Sequence, residues 1–103
     1  MVELSEKHKQ YIVQLSNSTW SSLSIYDNNR KKTFFYRTLK LGSYKYSGGY
    51  SYNSQALLRI KEIIKFIGIG TVDDIDNDLH KGICIKIPVN NYLKFCEKLT
   101  ILN

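Results

Sequence analysis

Apolar residues recur at helical spacing in three stretches of the chain, and residues that favour helix ends bound each of them. The first stretch covers residues 5–16, with Ser5 in front as a suitable N-cap. Its short apolar stripe consists of Tyr11, Ile12 and Leu15. The pattern predicts an N-terminal helix with one narrow buried face.

Residues 53–68 show the clearest helical pattern. Asn53 or Ser54 can cap the start of this helix, and Gly68 is placed to end it in a left-handed conformation. The predicted buried stripe consists of Ala56, Leu57, Ile60, Ile64 and Ile67.

Residues 90–102 predict a third helix, which closes the chain. Either Asn90 or Asn91 can cap it. We expect this helix to bury Leu93, Cys96 and Leu99, or their neighbours.

Residues 21–41 alternate in the manner of a β-hairpin. Leu23 and Ile25 alternate with polar residues, and residues 27–30 supply Asp and Asn, which suit a turn. The second strand should carry Phe35, Leu39 and Leu41 on one face and Phe34, Tyr36, Thr38 and Lys40 on the other. Arg37 falls on the more apolar of these two faces.

Residues 69–88 allow two interpretations. Thr71 and Asp74 can form a capping pair for a short helix, or the segment can be a hairpin with its turn at residues 76–78. The strand that follows should place Ile83, Ile85, Ile87 and Val89 on one face, with Pro88 near its exit. We predict the hairpin.

The predicted elements then run helix, strand, strand, helix, strand, strand, helix. This order describes a single α+β domain over residues 1–103, with an αββαββα half-domain topology and a four-stranded antiparallel sheet. The helices would pack on one face of that sheet and leave the other face open.

Residues 43–53 combine four tyrosines with a Gly-Gly pair. A three-residue loop at residues 47–49 would put Tyr44, Tyr46, Tyr50 and Tyr52 on one face, whereas a two-residue turn would divide them between faces. The rings could stack nucleobases beside Lys45, pack across strands beneath a helix, or belong to a mobile loop.

The charge is unevenly distributed along the chain. The formal net charge is +6, and no acidic residue occurs between Asn28 and Lys61. That stretch carries eight basic residues: Arg30, Lys31, Lys32, Arg37, Lys40, Lys45, Arg59 and Lys61. One positive face is typical of a protein that binds a polyanion, although a basic surface that only maintains solubility remains the simpler alternative.

Other features limit the class of protein. No apolar run approaches the ~20 residues of a membrane span, and the N-terminus lacks a signal-peptide core, so no membrane partner is expected.

Cys84 and Cys96 lack metal-ligand spacing and are expected to be free thiols in a reducing intracellular compartment. Asp74, Asp76 and Asp78 do not make an EF-hand, because Leu79 replaces the required Gly. No cofactor or metal is expected.

Three segments resemble the LAGLIDADG homing endonuclease and maturase family. "LSEKHKQYIVQL" (4–15) is similar to the lead-in of the family's signature helix. "SQALLRIKEIIKFIGIGTV" (54–72) resembles the second helix, its closing glycine and the following strand, and "ICIKIPVNNYLKFCEKL" (83–99) resembles the last strand and helix. The resemblance implies the predicted fold, with a sheet face that contacts nucleic acid.

The resemblance also implies that cleavage has been lost. Thr19 stands where the family has its catalytic acid, and Trp20 replaces the following Gly. A threonine hydroxyl is neutral and is a poor ligand for the Mg²⁺ that would activate water at a phosphodiester. Gln14 replaces a Gly that lets two signature helices approach closely, so the usual helix-pair interface is also in doubt.

We therefore expect a non-catalytic domain that binds nucleic acid, with RNA favoured over DNA. The expected nucleic-acid-binding residues are Arg30, Lys31, Lys32, Tyr36, Arg37, Lys40, Lys45 and Lys86, with Phe34 as a further stacking residue. A composition rich in Lys, Ile, Asn and Tyr points to an AT-rich coding source, such as an organelle or a mobile element. A mitochondrial ribosomal or intron-splicing ribonucleoprotein is one such setting, and a homodimer is the alternative assembly.

Two other functions compete with this prediction. An active nuclease could draw its metal ligands from elsewhere, for example Asp27 or a partner chain. A small phage or plasmid protein in a bacterial cytoplasm could instead bind a host protein as a defence inhibitor. Salt dependence separates nucleic-acid binding from protein binding, because phosphate contacts weaken steeply as salt rises.

Overall fold

A computed structural model gives the arrangement of the chain and describes residues 3–44 and 52–103. These residues form three helices and four strands: α1 (Glu6–Asn17), β1 (Ser21–Asp27), β2 (Lys32–Tyr44), α2 (Ser54–Ile67), β3 (Thr71–Asp76), β4 (His80–Pro88) and α3 (Val89–Leu102). The predicted order of elements is confirmed.

The strands form one antiparallel sheet in the order β1-β2-β4-β3, with the helices packed on one face. The hairpin predicted for residues 69–88 is present as β3 and β4, so Thr71 begins a strand rather than a helix. The two longest strands, β2 and β4, pair at the centre of the sheet. Ile83, Ile85 and Ile87 of β4 are fully buried against the helices.

The helix ends follow the sequence signals closely in α2. The Asn53 side chain accepts a hydrogen bond from the Ala56 backbone N–H at 2.8 Å, and Gly68 ends the helix with φ at +74°. The stripe of α2 is also as predicted, with Ile63 as an additional buried residue and Leu57 only partly buried. Local capping chemistry is therefore sufficient to set the bounds of this helix.

The start of α1 is fixed by a side chain that the apolar pattern does not reveal. The Ser5 backbone N–H donates to Nδ1 of His8 at 3.0 Å, which satisfies one of the free amides at the helix start. Nε2 of the same buried imidazole lies 3.4 Å from Oε1 of Glu62 in α2. His8 thus caps the start of α1 and also links α1 to α2.

The prediction for α3 is wrong in its starting point and only partly right in its buried face, since Leu99 is buried and Cys96 partly buried. The helix begins at Val89, directly after Pro88, so Asn90 and Asn91 lie inside it and Val89 does not continue the strand. Leu93 is 72% exposed, whereas Phe95 is fully buried. Phe95 packs edge-on against Trp20, with ring centroids 5.5 Å apart, and this aromatic contact decides which side of α3 faces inward.

A glycine pair lets β2 and β4 approach closely. Gly42 and Gly82 are directly opposite each other, and a Cβ on Gly82 would lie only 2.0 Å from the Leu41 carbonyl oxygen. Since the obstructing atoms belong to the backbone, they cannot move aside without displacing a central strand.

We expect Gly82→Ala to lower the free energy of unfolding by about 2–3 kcal/mol, because overpacking of this kind forces the backbone to shift. Urea denaturation followed by circular dichroism would measure the change. Lys81→Ala, at the neighbouring exposed position, is the matched control. Equal stability of the two variants would contradict the close approach of the strands.

Candidate nucleic-acid interface

The sheet face that carries no helix is called the open face. The strand register defines its rows: Ile25 with Phe34, Leu23 with Tyr36 and Pro88, Ser21 with Thr38, Lys86 and Thr71, and Lys40 with Cys84 and Asp73. Side chains on the opposite side, such as Leu41 and Ile85, are buried under the helices. The open face thus passes from apolar and aromatic residues near the β1–β2 turn to hydroxyls and lysines further along.

The apolar residues of β1 belong to the open face. Leu23 and Ile25 remain 37% and 38% exposed, whereas the adjacent Ser22 and Ser24 lie on the helix side. Tyr26 and Phe35 are on that helix side too, yet they are 57% and 59% exposed. The helices therefore leave the turn end of the hairpin uncovered, and this end presents apolar side chains on both of its faces.

Two cations lie close to an aromatic ring at the turn end of the β1–β2 hairpin. The Arg30 guanidinium and the Lys32 ammonium both lie 5.5 Å from the centre of the Phe34 ring. This distance is within the range of a cation–π interaction. The ring and its two positive charges form a compact group beside the turn.

The β1–β2 turn is held by its own side chains. Oδ1 of Asp27 accepts hydrogen bonds from the backbone N–H groups of Asn29 and Arg30, at 2.9 and 3.1 Å. Lys31 adopts a left-handed conformation with φ at +51°. Asp27, proposed above as a possible metal ligand, acts in this structure as the cap of the turn.

Two further lysines lie on the open face. Lys40 is exposed, whereas Lys86 is partly covered and its Nζ lies 3.2 Å from Oδ2 of Asp73 on β3. The ion pair offsets part of the positive charge of Lys86. Lys40 is therefore the more available of the two for an anion.

Two shallow cavities indent the open face. One of about 300 Å³ is lined by Tyr36, Gly70, Thr71, Lys86 and Pro88. The other, of about 500 Å³, lies where the α1–β1 connection meets the sheet, and its polar lining consists of Thr19, Ser21, Ser22, Thr38, Lys40 and Cys84. Each cavity combines hydroxyl groups with one lysine, which suits a ligand that carries both hydrogen-bonding edges and negative charge.

Arg37 lies apart from the other predicted binding residues. It is on the helix side of β2, where Nη1 donates to Oγ of Ser22 at 2.9 Å and the guanidinium lies 5.7 Å from the centre of the Tyr92 ring in α3. Burial, helped by a hydrogen bond with Cys96, raises the pKa of Tyr92 to about 12, so this ring is neutral at physiological pH. Arg37 therefore joins the hairpin to α3.

Lys45 and the turn of the tyrosine-rich segment, with Tyr46 and Tyr50, lie outside the described residues. The backbone of Tyr44 ends β2 opposite His80, and the Tyr52 hydroxyl donates to Oε1 of Gln14 at 3.1 Å. Tyr52 thus contacts α1, and the register of the four tyrosines stays a prediction.

The helix end that the resemblance associates with catalysis carries hydroxyl and indole groups. The helix α1 ends at Asn17, and Thr19 follows it as an exposed residue. The neighbouring Trp20 turns inward, and its indole N–H donates to the Leu15 carbonyl at 3.3 Å. Within residues 3–44 and 52–103, no group of three or more His, Cys, Asp or Glu side chains is placed to hold a metal ion. Cys84 and Cys96 are free and partly buried.

Charge is separated across the sheet. The β1–β2 hairpin is basic, whereas the β3–β4 hairpin carries Asp73, Asp74, Asp76 and Asp78. Asp74 pairs with Lys61 of α2, as Asp73 does with Lys86. A polyanion would therefore approach from the β1–β2 side.

Most of the basic residues predicted from the sequence lie on or beside the open face, which also carries apolar residues that were not predicted as part of a site. The register brings Lys32, Tyr36, Lys40 and Lys86 together on the open face and places Arg30 and Lys31 at its edge. Leu23, Ile25 and Asp73 also belong to this face. Their alternation was visible in the sequence, but only the pairing with β2 and β4 shows which side they occupy.

Comparisons with known proteins assign the chain to no family. No protein-family model matches the chain, and no curated protein or solved structure is significantly similar to it. Among the helices of the described residues, none is both long enough and apolar enough to cross a bilayer.

Proposed function

We propose that this protein is a non-catalytic nucleic-acid-binding domain that contacts its ligand through the open face, and that the ligand is RNA. The observation that carries the proposal is the convergence of Arg30, Lys32 and Phe34 beside a sheet face that also carries Tyr36 and Lys40. Cations that reach phosphates, next to rings that can stack on bases, are the recurrent components of single-strand and RNA interfaces.

The proposed setting is a ribonucleoprotein of an organelle, such as a ribosome or an intron-splicing complex. This part of the proposal depends on the resemblance to the LAGLIDADG family and on the composition of the chain. Loss of the catalytic acid at Thr19 is compatible with a domain that retains RNA binding without cleavage. Crosslinking of the protein to RNA in its native source, followed by sequencing of the recovered RNA, would identify the ligand.

The direct test is the salt dependence of binding. Fluorescence anisotropy with labelled RNA should show affinity that falls steeply and log-linearly with salt, with a slope of about 0.7–0.9 per phosphate contact. RNA and DNA of one sequence, compared side by side, test the preference for RNA, because only RNA offers a 2′-hydroxyl. Absence of salt-dependent binding to either polymer would overturn the proposal.

We expect no metal-dependent cleavage of either polymer, because a hydroxyl at Thr19 supplies no charge to a divalent cation. Incubation of purified protein with labelled RNA and DNA in Mg²⁺ or Mn²⁺ measures this. Nicking that disappears after substitution of a single acid, such as Asp27→Asn, would contradict the prediction and favour the nuclease alternative.

Removal of the acid on the open face should strengthen RNA binding. Asp73→Asn releases Lys86 from its ion pair and removes a negative charge from the face, so affinity should rise about two- to fivefold at low salt. Asp76→Asn is the matched control, since Asp76 lies on the same strand and faces the helix side. Equal gains in the two variants would indicate a general charge effect and place the interface elsewhere.

A protein partner is the second candidate function, and the exposed apolar residues at the hairpin end favour it. Tyr26 and Phe35 extend the apolar surface to the helix side of the hairpin, where no stacking role is assigned to them. An interface of this kind would be largely insensitive to salt. Binding of a host protein that persists at high salt and is lost in Phe35→Ala would favour this alternative.

A further inference from the structure

We infer that the open face selects single-stranded nucleic acid, with one base stacked on Phe34 and the next seated in the cavity beside Tyr36. The inference rests on the proposed function and specifies the form of the ligand. It follows from the spacing and environment of these two half-buried rings.

The spacing of the rings does not match two neighbouring stacked bases. Phe34 and Tyr36 are two residues apart on one face of β2, which places them about 6.7 Å apart along the strand. Bases within one strand of a duplex rise by only about 3.4 Å. Two neighbouring bases can therefore contact both rings only after they unstack, which a single strand permits at low cost.

The environment of Phe34 suits a base. Its cross-strand partner Ile25 supports the ring from β1, while Arg30 and Lys32 lie close to it. Both cations lie over the ring, so a base that stacks on Phe34 takes the place of one of them, and the displaced side chain can neutralise the phosphate attached to that base.

The cavity beside Tyr36 can hold the second base. Its volume of about 300 Å³ lies at the lower end of the range for small-ligand pockets. Tyr36 and Pro88 supply flat walls, Thr71 supplies a hydroxyl for a base edge, and Lys86 is placed for a phosphate. A base in a duplex has its pairing edge occupied, so Thr71 could bond to that edge only in an unpaired base.

The charge pattern fixes where the strand passes. Lys32 lies before the first ring and Lys40 beyond the second, so cations continue along β2 in both directions. The acids of β3 border the opposite edge. A polyanion is therefore directed along β2 rather than across the sheet.

The test compares a short oligouridylate with the same strand paired to oligoadenylate, by fluorescence anisotropy at fixed salt. We expect the single strand to bind at least about tenfold tighter than the duplex. Phe34→Ala and Tyr36→Ala should each weaken binding of the single strand about 5- to 150-fold and leave duplex binding unchanged.

Two further variants make the test specific. Phe35→Ala removes a more exposed ring from the other face of β2 and should bind like the parent protein. Phe34→Leu keeps an apolar side chain against Ile25 but has no ring, so it preserves the sheet and should lose affinity as Phe34→Ala does.

The outcomes are distinct. This inference would be overturned if the parent protein bound single strand and duplex with equal affinity and Phe34→Leu bound as tightly as the parent. Salt-dependent binding in the same experiment would still support the proposed function. Failure to bind either form would overturn both. Weakening by Phe35→Ala equal to that by Phe34→Ala would also contradict the assignment of the stacking face.

Discussion

The variant that combines Arg30→Ala, Lys31→Ala and Lys32→Ala should bind RNA on the order of 100-fold more weakly at 0.1 M salt. These side chains extend from the β1–β2 turn, where they can reach a phosphate backbone without crowding. Each lost contact should reduce the slope of log affinity against log salt by about 0.7–0.9, so the slope should fall by roughly two to three. Anisotropy titrations at several salt concentrations measure both quantities.

A charge-matched control separates contact from net charge. Lys7, Lys65 and Lys94 are exposed on the three helices, on the side of the sheet away from the open face. Their combined replacement by Ala removes the same charge, and we expect the slope to be unchanged. A triple turn variant that binds like the parent at low and high salt would show that the interface has been misplaced.

The turn variant should also remain folded. Asp27 holds the turn through backbone amides, and these hydrogen bonds do not depend on the three basic side chains. An unchanged circular dichroism spectrum and thermal midpoint would check this point.

The second large effect concerns the core. Phe95→Ala should lower the free energy of unfolding by about 3–5 kcal/mol, because it removes a fully buried ring that contacts both Trp20 and Tyr92. Leu93→Ala, two residues earlier in the same helix, should change it by less than about 0.5 kcal/mol, since Leu93 is 72% exposed. Urea denaturation at constant protein concentration measures both changes.

A loss of this size is a large fraction of the 5–15 kcal/mol that stabilises a typical domain, so Phe95→Ala is expected to be marginally folded. Phe95→Leu retains more of the buried volume and should give an intermediate loss, which keeps the comparison quantitative. If Leu93→Ala cost as much as Phe95→Ala, the face of α3 that packs on the sheet would have been assigned incorrectly.

Local sequence signals were sufficient for the elements and their order. The caps at Asn53 and Gly68 define α2 because capping depends on the few residues at a helix end. The β1–β2 turn follows from the Asp and Asn at residues 27–29 for the same reason. The alternation of apolar and polar residues over residues 69–88 favoured a hairpin over the short helix that the capping pair at Thr71 would start. The hairpin completes a sheet that the three helices can cover.

The buried face of α3 was decided by packing. Leu93 and Phe95 are both apolar, and the helical pattern accepts either as the inward residue. The aromatic contact with Trp20, which follows α1, selects Phe95. A contact between residues so far apart in the sequence cannot be deduced from the periodicity of one helix.

The candidate interface was likewise predicted in part from the sequence and decided in part by the tertiary structure. The sequence determined that residues 28–61 are basic and that aromatic residues lie among them, since composition and order need no fold. Tertiary structure decided which of these side chains lie together. The register places Arg37 on the helix side, next to Tyr92. It leaves Phe34, Tyr36 and Lys40 on the open face, together with Leu23 and Lys86. A strand presents alternate residues to opposite sides, and only pairing with its neighbours and the position of the helices determine which side remains open to a ligand.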